Sequence, residues 1–398
     1  MSRSILFPLI FLPLMAGLIW LTHRFLYQQL AVVTHLPLLW RRVVGATLTV
    51  FALSLPVGMA VSRLAPAPWL RYWAIASFVW MGLVLLLLLG LGLQAGLQHG
   101  HAWWQARQGT PLAEERRAFL ARLLGGTASA GALLTGAAAI HNAVGKPALK
   151  HVTVPIAGLG QHPDGLRIVQ VSDLHVGPTI RREWVQALVD DINAAKPDLL
   201  VLTGDLVDGS VAVLAEHVAP FASVQATLGT FLVTGNHEYL SDAAPWVEHW
   251  QSLGVRVLRN ESVTIRKDGM AIELAGVDDW SAERFDVPGH KHDLPAALGS
   301  RKEPRLPTVL LAHQPKSIVE AGQAGVALQL SGHTHGGQIW PFSFLVTLVQ
   351  PYLAGLYRHT DKTWIYVSRG TGFWGPPMRL QAPSELTVLT LRDATQVA

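Results

Sequence analysis

Apolar residues recur in two different ways along this chain, and the change between them divides it. Before residue 145 they run almost unbroken. Ile5–Leu21, Val43–Val61 and Tyr72–Leu93 hold no charged residue, and each is close to the ~20 residues that cross a bilayer as a helix. Pro8, Pro13 and Pro56 fall inside these runs, which membrane helices tolerate. Trp20, Trp40, Trp69, Tyr72 and Trp73 lie near the ends, where interfacial aromatics belong. A fourth stretch, Leu123–Ile140, is rich in Gly, Ala, Ser and Thr and less apolar.

After Lys150 the apolar runs become short and alternate with helical stripes such as Trp184, Leu188, Val189 and Ile192. The pattern predicts strands at Arg167–Ser172, Asp198–Thr203 and Gly229–Thr234, a helix over Ala243–Leu253 and a strand at Val255–Leu258. A hairpin pairs Val263–Ile265 with Ala271–Ala275 around Lys267-Asp268-Gly269, and strands follow at Thr308–Leu311, Ala327–Leu330, Trp364–Ser368 and Leu386–Leu391. Strand–helix alternation followed by a run of strands predicts an α/β fold of two packed sheets with helices outside. The expected division is a transmembrane region over 1–145 with spans at 5–21, 43–61, 72–93 and 123–140, a linker over 146–165, and a catalytic domain over 166–398.

Charge follows the same division. Residues 1–150 carry twelve Lys/Arg and two Asp/Glu, and the remainder carries nineteen and twenty-five. The whole chain's net +4 is thus +10 before residue 151 and −6 after it, so the basic balance belongs to the membrane part and is no nucleic-acid footprint. Four spans would place Arg24, Arg41, Arg42, Arg107, Arg116, Arg117 and Arg122 on one side. Arg3, Arg63, Arg71, Lys146 and Lys150 would lie on the other. The positive-inside rule then puts the first set in the cytoplasm and the C-terminal domain outside a plasma or inner membrane. If the fourth stretch does not cross, the domain is cytoplasmic. Arg116-Arg117-Ala-Phe119-Leu120 ahead of that stretch has two readings: a twin-arginine export signal in an internal position, or a membrane helix with a basic cytoplasmic flank. The first run also fits a cleaved secretory signal, although further spans follow it.

The chemistry sits in five short motifs: Asp173-Leu-His175, Gly204-Asp205-Leu-Val-Asp208, Gly235-Asn236-His237-Glu238, Ala312-His313 and Gly332-His333-Thr-His335. Nearly every one follows an apolar run, so each places Asp, Asn or His at a strand end, where a side chain has little freedom. Asp173, His175, Asp205, Asn236, His313, His333 and His335 offer seven donors, or eight contacts if Asp205 bridges. That number suits two divalent cations with positions left open. Two metals roughly 3.5–4 Å apart clamp a phosphoryl group and activate water. Mixed oxygen and imidazole ligation fits Mn, Fe or Zn, and a chain without cysteine excludes thiolate zinc and iron–sulfur sites. Singly, the motifs have plainer readings: Asp-x-His as a turn, Gly-Asn-His-Glu as a loop using positive φ.

Taken together the five blocks resemble the calcineurin-like metallophosphoesterase superfamily over about Leu166 to Leu391. The resemblance implies a four-layer αββα sandwich. It implies that Asp173, His175, Asp205 and His335 hold one metal and that Asp205, Asn236, His313 and His333 hold the other. It casts His237 as the group that contacts phosphate or protonates the leaving oxygen, and Asp208 as an orienting carboxylate behind the ligands; a purely structural His237 is the alternative. Gly-His-Thr-His-Gly-Gly-Gln and Ser-Arg-Gly-Thr-Gly fit a membrane-anchored subgroup with N-terminal spans. Some of its relatives resemble UDP-2,3-diacylglucosamine pyrophosphatases, which cleave a lipid A precursor.

Two further features bear on substrate. Arg369 and Arg379 flank Gly-Thr-Gly-Phe-Trp-Gly-Pro-Pro, and either binds phosphate through its paired donors or serves the structure. The Pro-broken apolar segment from Ile339 to Leu353 is ordinary core or a lip that touches lipid. The expected activity is hydrolysis of a phosphoester or pyrophosphate, with a membrane and a lipid-linked phosphoester as partners and no nucleic acid. A metal-bound scaffold or sensor without turnover is the alternative from another class. Transport is the weakest reading, since the spans hold no acidic or basic residue.

Overall fold

The structure, a computed structural model, describes residues 3–64, 68–109 and 113–396; for residues 3–11, 61–64, 68 and 114 the backbone alone is described. Among the described residues the N-terminal part forms four α-helices, α1 (Arg3–Tyr27), α2 (Leu38–Leu64), α3 (Pro68–Arg107) and α4 (Glu114–Val144), with a π-helical turn over Gln28–Val32 after α1. Among the described residues three stretches are long and apolar enough to cross a membrane, Leu38–Ala60, Trp69–Arg107 and Glu115–Val144. They take in the expected spans at 72–93 and 123–140 and all but the last residue of 43–61. The first expected span, 5–21, lies in α1 and partly outside the residues whose side chains are described. α4 runs unbroken from Glu114 through Arg116 and Arg117; its many alanines have the highest helix propensity. Within these helices His23 Nδ1 donates to the Ile19 carbonyl (2.8 Å), and between them Trp80 Nε1 of α3 donates to His23 Nε2 of α1 (3.0 Å).

The C-terminal part is built on two six-stranded sheets. The first takes β1 (Ala148–Ile156), β2 (Leu166–Val171), β3 (Leu199–Leu202), β4 (Thr230–Leu232), β5 (Arg256–Val257) and the last strand, β12 (Glu385–Asp393), in the order β1-β12-β2-β3-β4-β5. The second takes β6 (Glu261–Lys267), β7 (Met270–Gly276), β8 (Thr308–Leu311), β9 (Leu328–Ser331), β10 (Gly355–Arg358) and β11 (Trp364–Val367), in the order β10-β11-β9-β8-β7-β6. β2 to β5 are mutually parallel, and so are β7, β8, β9 and β11. The parallel steps are crossed by helices, which include α5 (Arg182–Ala194), α6 (Val211–Val218), α7 (Asn236–Leu240), α8 (Ala243–Ser252), α9 (Leu294–Gly299) and α10 (Ile318–Gln323).

The period-two side-chain alternation of strands explains the layering. Ile168, Leu199, Val201, Val309, Leu311, Leu328, Leu330 and Leu389 turn inward and fill the space between the sheets. Their neighbours Val169, Val171, Leu200 and Leu202 turn outward and meet Val185, Leu188, Val189 and Ile192 of α5. On the other side Leu310, Ile365 and Val367 meet Leu294, Ala297, Ile318 and Ala321 of α9 and α10. The result is helices, sheet, sheet, helices, the four-layer αββα order. Polar ties cross the interior: Gln170 Nε2 donates to Thr203 Oγ1 (2.9 Å) and to the Ser331 carbonyl of the opposite sheet (3.0 Å), and the Tyr366 hydroxyl of β11 donates to Glu385 Oε1 of β12 (2.6 Å).

Two strands depart from the expected pattern. Residues 148–156, inside the expected linker, form β1 and pair in parallel with β12 along their whole length. Pro155 and the exposed residues of this strand hide it in the sequence, and an edge strand accommodates both. β10 is likewise an edge strand, short and half exposed. The hairpin is longer than expected. It pairs Glu261 with Gly276 through to Lys267 with Met270, and Asp268 (φ 45°) and Gly269 (φ 85°) form its tight turn.

The packing predicts a large difference between faces. Leu274→Ala, in the fully buried inter-sheet layer, is expected to cost about 2–5 kcal/mol. Leu149→Ala, at an exposed position of β1, is expected to stay within about 0.5 kcal/mol. Thermal unfolding of the two full-length variants in detergent, followed by tryptophan emission, reads the contrast.

Candidate metal centre

Every expected donor stands just past the C-terminal end of a parallel strand. Asp173 and His175 follow β2, Asp205 and Asp208 follow β3, Asn236 and His237 open α7 after β4, His313 follows β8, and His333 and His335 follow β9. Residues outside the carboxyl ends of parallel strands face a common crevice. Here the ends of both sheets share one. The loops are stitched to each other by backbone bonds, Asp173 N to the Gly204 carbonyl (3.0 Å), His175 N to the Asp205 carbonyl (3.1 Å) and Gly332 N to the His313 carbonyl (2.9 Å).

The backbone is strained to achieve this. Asp173, His175, Asp205, His333 and His335 all have φ between 50° and 72°, in the left-handed region that costs non-glycine residues about 1–2 kcal/mol each. The glycines that precede the donors have a steric reason. A Cβ on Gly235 would lie 2.2 Å from Asp205 Oδ1, and one on Gly332 would lie 2.2 Å from Asp173 Oδ2. The carboxylates occupy the space that a side chain would need.

The donors form three tight groups whose ligating atoms lie within 4.8 Å of one another: Asp173, His175 and His335; Asp205, His313 and His333; and His175, Asp208 and His237. His335 Nε2 is 3.5 Å from Asp173 Oδ1 and 3.1 Å from His175 Nε2. His313 Nε2 is 3.1 Å from Asp205 Oδ2 and 3.2 Å from His333 Nδ1. His313 Nδ1 donates to the Thr203 carbonyl (2.8 Å), which turns Nε2 into the centre. Asp208 Oδ1 accepts from His175 Nδ1 (3.2 Å) and His237 Nδ1 (2.6 Å), so it sets both rings. Asp173 Oδ2 and Asn236 Oδ1 are buried acceptors without a hydrogen-bond partner, and such orphans are rare unless a ligand or ion completes them.

Electrostatics express the crowding. Burial pushes the His237 imidazole down, but Asp205 and Asp208 outweigh it and hold it at about 9. Burial raises the Asp205 carboxyl, yet His313 and His237 take it well below the usual carboxylate range. His313 is correspondingly held well above the usual imidazole value, against its burial, by Asp205. Burial, reinforced by His313, pushes His333 down to about 3. Burial instead raises Asp173, and burial together with Asp205 raises Glu238 to about 7.

Glu238, part of the third motif but given no role by the sequence, is a clamp. Its carboxylate accepts from the amides of Gly235 (2.6 Å), Asp205 (2.9 Å) and Leu206 (2.7 Å), binding the β4 loop to the β3 loop. Trp374 lies outside the five motifs, yet its ring meets His237 edge-on at 6.1 Å. The two arginines face their own chain. Arg369 pairs with Glu385 (3.2 Å). Arg379 is buried, donates to the carbonyls of His335 (3.0 Å), Arg369 (2.7 Å), Ala382 (3.1 Å) and Gly372, and sits 3.2 Å from His335 Nδ1. These bonds engage its guanidinium within the protein and support the structural alternative over phosphate binding.

Residues 166–337 match the family model described as calcineurin-like phosphoesterase. The chain is 37% identical over 368 residues to a Bos taurus protein named transmembrane protein with metallophosphoesterase domain, covering 89% of this chain and 81% of that one. The Danio rerio protein of the same name is 38% identical over 66% of this chain and 62% of its own length, so it extends well beyond the match. The Bacillus subtilis metallophosphoesterase YkuE, described as uncharacterized, is 34% identical over 70% of this chain and 98% of its own length. The chain belongs to the calcineurin-like metallophosphoesterases, in their membrane-anchored subgroup, and is a metal-dependent phosphohydrolase.

Proposed function

We propose that the centre holds two divalent cations and hydrolyses a phosphoester of a lipid-linked substrate. The observation that carries the metal reading is the pair of orphaned buried acceptors, Asp173 Oδ2 and Asn236 Oδ1, beside imidazole nitrogens that face one another. Asp173, His175, Asp205 and His335 would hold one ion, and Asp205, Asn236, His313 and His333 the other. Oxygen and nitrogen donors without thiolate favour Mn, Fe or Zn. When bound, such ions supply Lewis acidity toward a phosphoryl oxygen and lower the pKa of water.

The chain's own residues do the rest. Asp208 fixes His175 and His237 from behind, through one shared oxygen. His237 has Nδ1 committed to Asp208, which leaves Nε2 as the nitrogen turned away from that bond. Nε2 would pass a proton to the leaving oxygen as the ester bond breaks. Glu238 holds the Asp205 and Asn236 loops together, so the centre keeps its geometry through turnover.

A membrane anchor supports a lipid-linked substrate, because the anchor confines the domain to where such phosphoesters are concentrated. The arginine distribution supports an extracytoplasmic domain acting on an envelope phosphoester. UDP-2,3-diacylglucosamine is the reading that a cytoplasmic domain would favour. Paired reporter fusions after the C-terminus, active on only one side, separate the two.

Three outcomes test the chemistry. Asp205→Asn and His335→Ala are each expected to lose bound metal, measured by elemental analysis, and at least about 10³-fold in turnover of an aryl phosphodiester, with the circular dichroism of the fold retained. Wild-type rates in either would remove the site assignment. His237→Ala is expected to slow an alkyl ester by about 10²-fold or more and a p-nitrophenyl ester much less, since that leaving group needs no proton. Equal losses would make His237 a phosphate contact. Chelation of the metals is expected to lower the Tm, because ions that bind only the folded state stabilise it.

A further inference from the structure

The segment that leaves the last metal motif is built to keep its apolar side chains in the open. Between Glu320 and Arg358 the chain holds no formally charged residue. Within that stretch α11 (Phe342–Val346) buries none of its residues. Trp340 (45%), Phe342 (47%), Phe344 (64%), Leu345 (53%), Leu348 (79%) and Val349 (72%) are exposed, as is Trp374 (52%) from the neighbouring loop. The hydroxyl of Thr347 is turned back onto the Phe344 carbonyl (2.8 Å), so it adds no polarity to the surface.

This display is ordered. Thr334 Oγ1, between the two motif histidines, donates to the Leu353 carbonyl (2.6 Å) at the far end of the segment. Trp340 N donates to the Leu380 carbonyl (3.2 Å), and the buried side chains of Ile339 and Gln350 anchor either side. A Cβ on Gly337 would lie 2.5 Å from Ser343 Cα, so α11 rests directly on the loop that carries His335. Gln338 Nε2 donates to the Trp374 carbonyl (2.7 Å) and its Oε1 accepts from Trp374 N (2.9 Å), joining the exposed tryptophan to the same loop. The patch and the metal centre therefore share one rigid support.

We propose that residues 340–349 and Trp374 form a lipid-docking lip, which seats Phe344, Leu345, Leu348 and Val349 among the acyl chains of the bilayer beside the metal centre. The occupant follows from the rest of the chain. Helices long enough to cross a membrane hold this domain at a bilayer, and an uncharged face rich in Trp, Phe and Leu partitions into the interfacial region. A protein partner would need charges to set its register, and residues 340–349 carry none. The consequence for substrate, that phosphoester headgroups of lipid lie at the site while their chains stay in the membrane, rests on the phosphoesterase reading above.

The absence of cysteine makes the test direct. Full-length protein carrying Leu348→Cys, labelled with an environment-sensitive nitrobenzoxadiazole probe, is placed in phosphatidylcholine–phosphatidylglycerol nanodiscs with or without spin-labelled lipid. Val213→Cys, on the exposed side of α6, is the control. The proposal expects a blue-shifted emission quenched by spin-labelled lipid at 348 and neither effect at 213. A probe that reports water, or one that is blue-shifted but not quenched because a second copy or another protein covers it, overturns the proposal. A variant with Phe344→Ser, Leu348→Ser and Val349→Ser is then compared on soluble bis(p-nitrophenyl) phosphate and on vesicle-borne hexadecyl p-nitrophenyl phosphate. The ratio of lipid to soluble turnover is expected to fall about tenfold; an unchanged ratio overturns the lip's role in substrate access. If the unaltered protein hydrolyses neither ester, the phosphoesterase reading fails, while the quenching result still decides the lip.

Discussion

Three carboxylates and five imidazoles occupy one crevice here, and unshared they would repel or strand one another's lone pairs. Most of the surrounding architecture serves to hold them there. Five donors sit in left-handed backbone, and glycines give up their side-chain volume to the carboxylates. Glu238 ties two loops through three amides, and Arg379 grips the His335 carbonyl from the interior. Strain of this kind persists only where the surroundings over-determine it. The two sheets and their cores supply that rigidity.

The donors were legible because metal chemistry restricts residue types more tightly than folding does. One Asp or His at the end of an apolar run is commonplace, but Asp, Asn and His closing five such runs in order is the pattern of a candidate ligand set. The inner strands were legible for a related reason: strands buried on both faces, such as Leu199–Leu202 and Thr308–Leu311, read as unbroken apolar runs. Edge strands do not. β1 carries a proline and exposed polar residues because only one of its sides is paired, and its sequence reads as a linker.

What stayed illegible was mostly the direction in which a side chain points. Arg379 and a phosphate-binding arginine look the same in sequence; only the fold turns the guanidinium onto carbonyls around His335. The segment from Ile339 to Leu353 has the composition of a core, and its exposure comes from hydrogen bonds to Leu380 and Thr334 that hold it off the sheets. Apolar content alone does not reveal whether the missing contact is protein or lipid.

The division of the donors between the sheets has a mechanical meaning. Asp173, Asp205 and Asn236 extend from the first sheet, and His313, His333 and His335 extend from the second. Any ion shared by both sets is a cross-link between the halves of the sandwich, and in a chain without cysteine it does the work of a staple. Gln170 is the permanent version of that link, spanning the same gap one residue short of the β2 terminus. Metal occupancy would thus set how tightly the halves close as well as whether they can react.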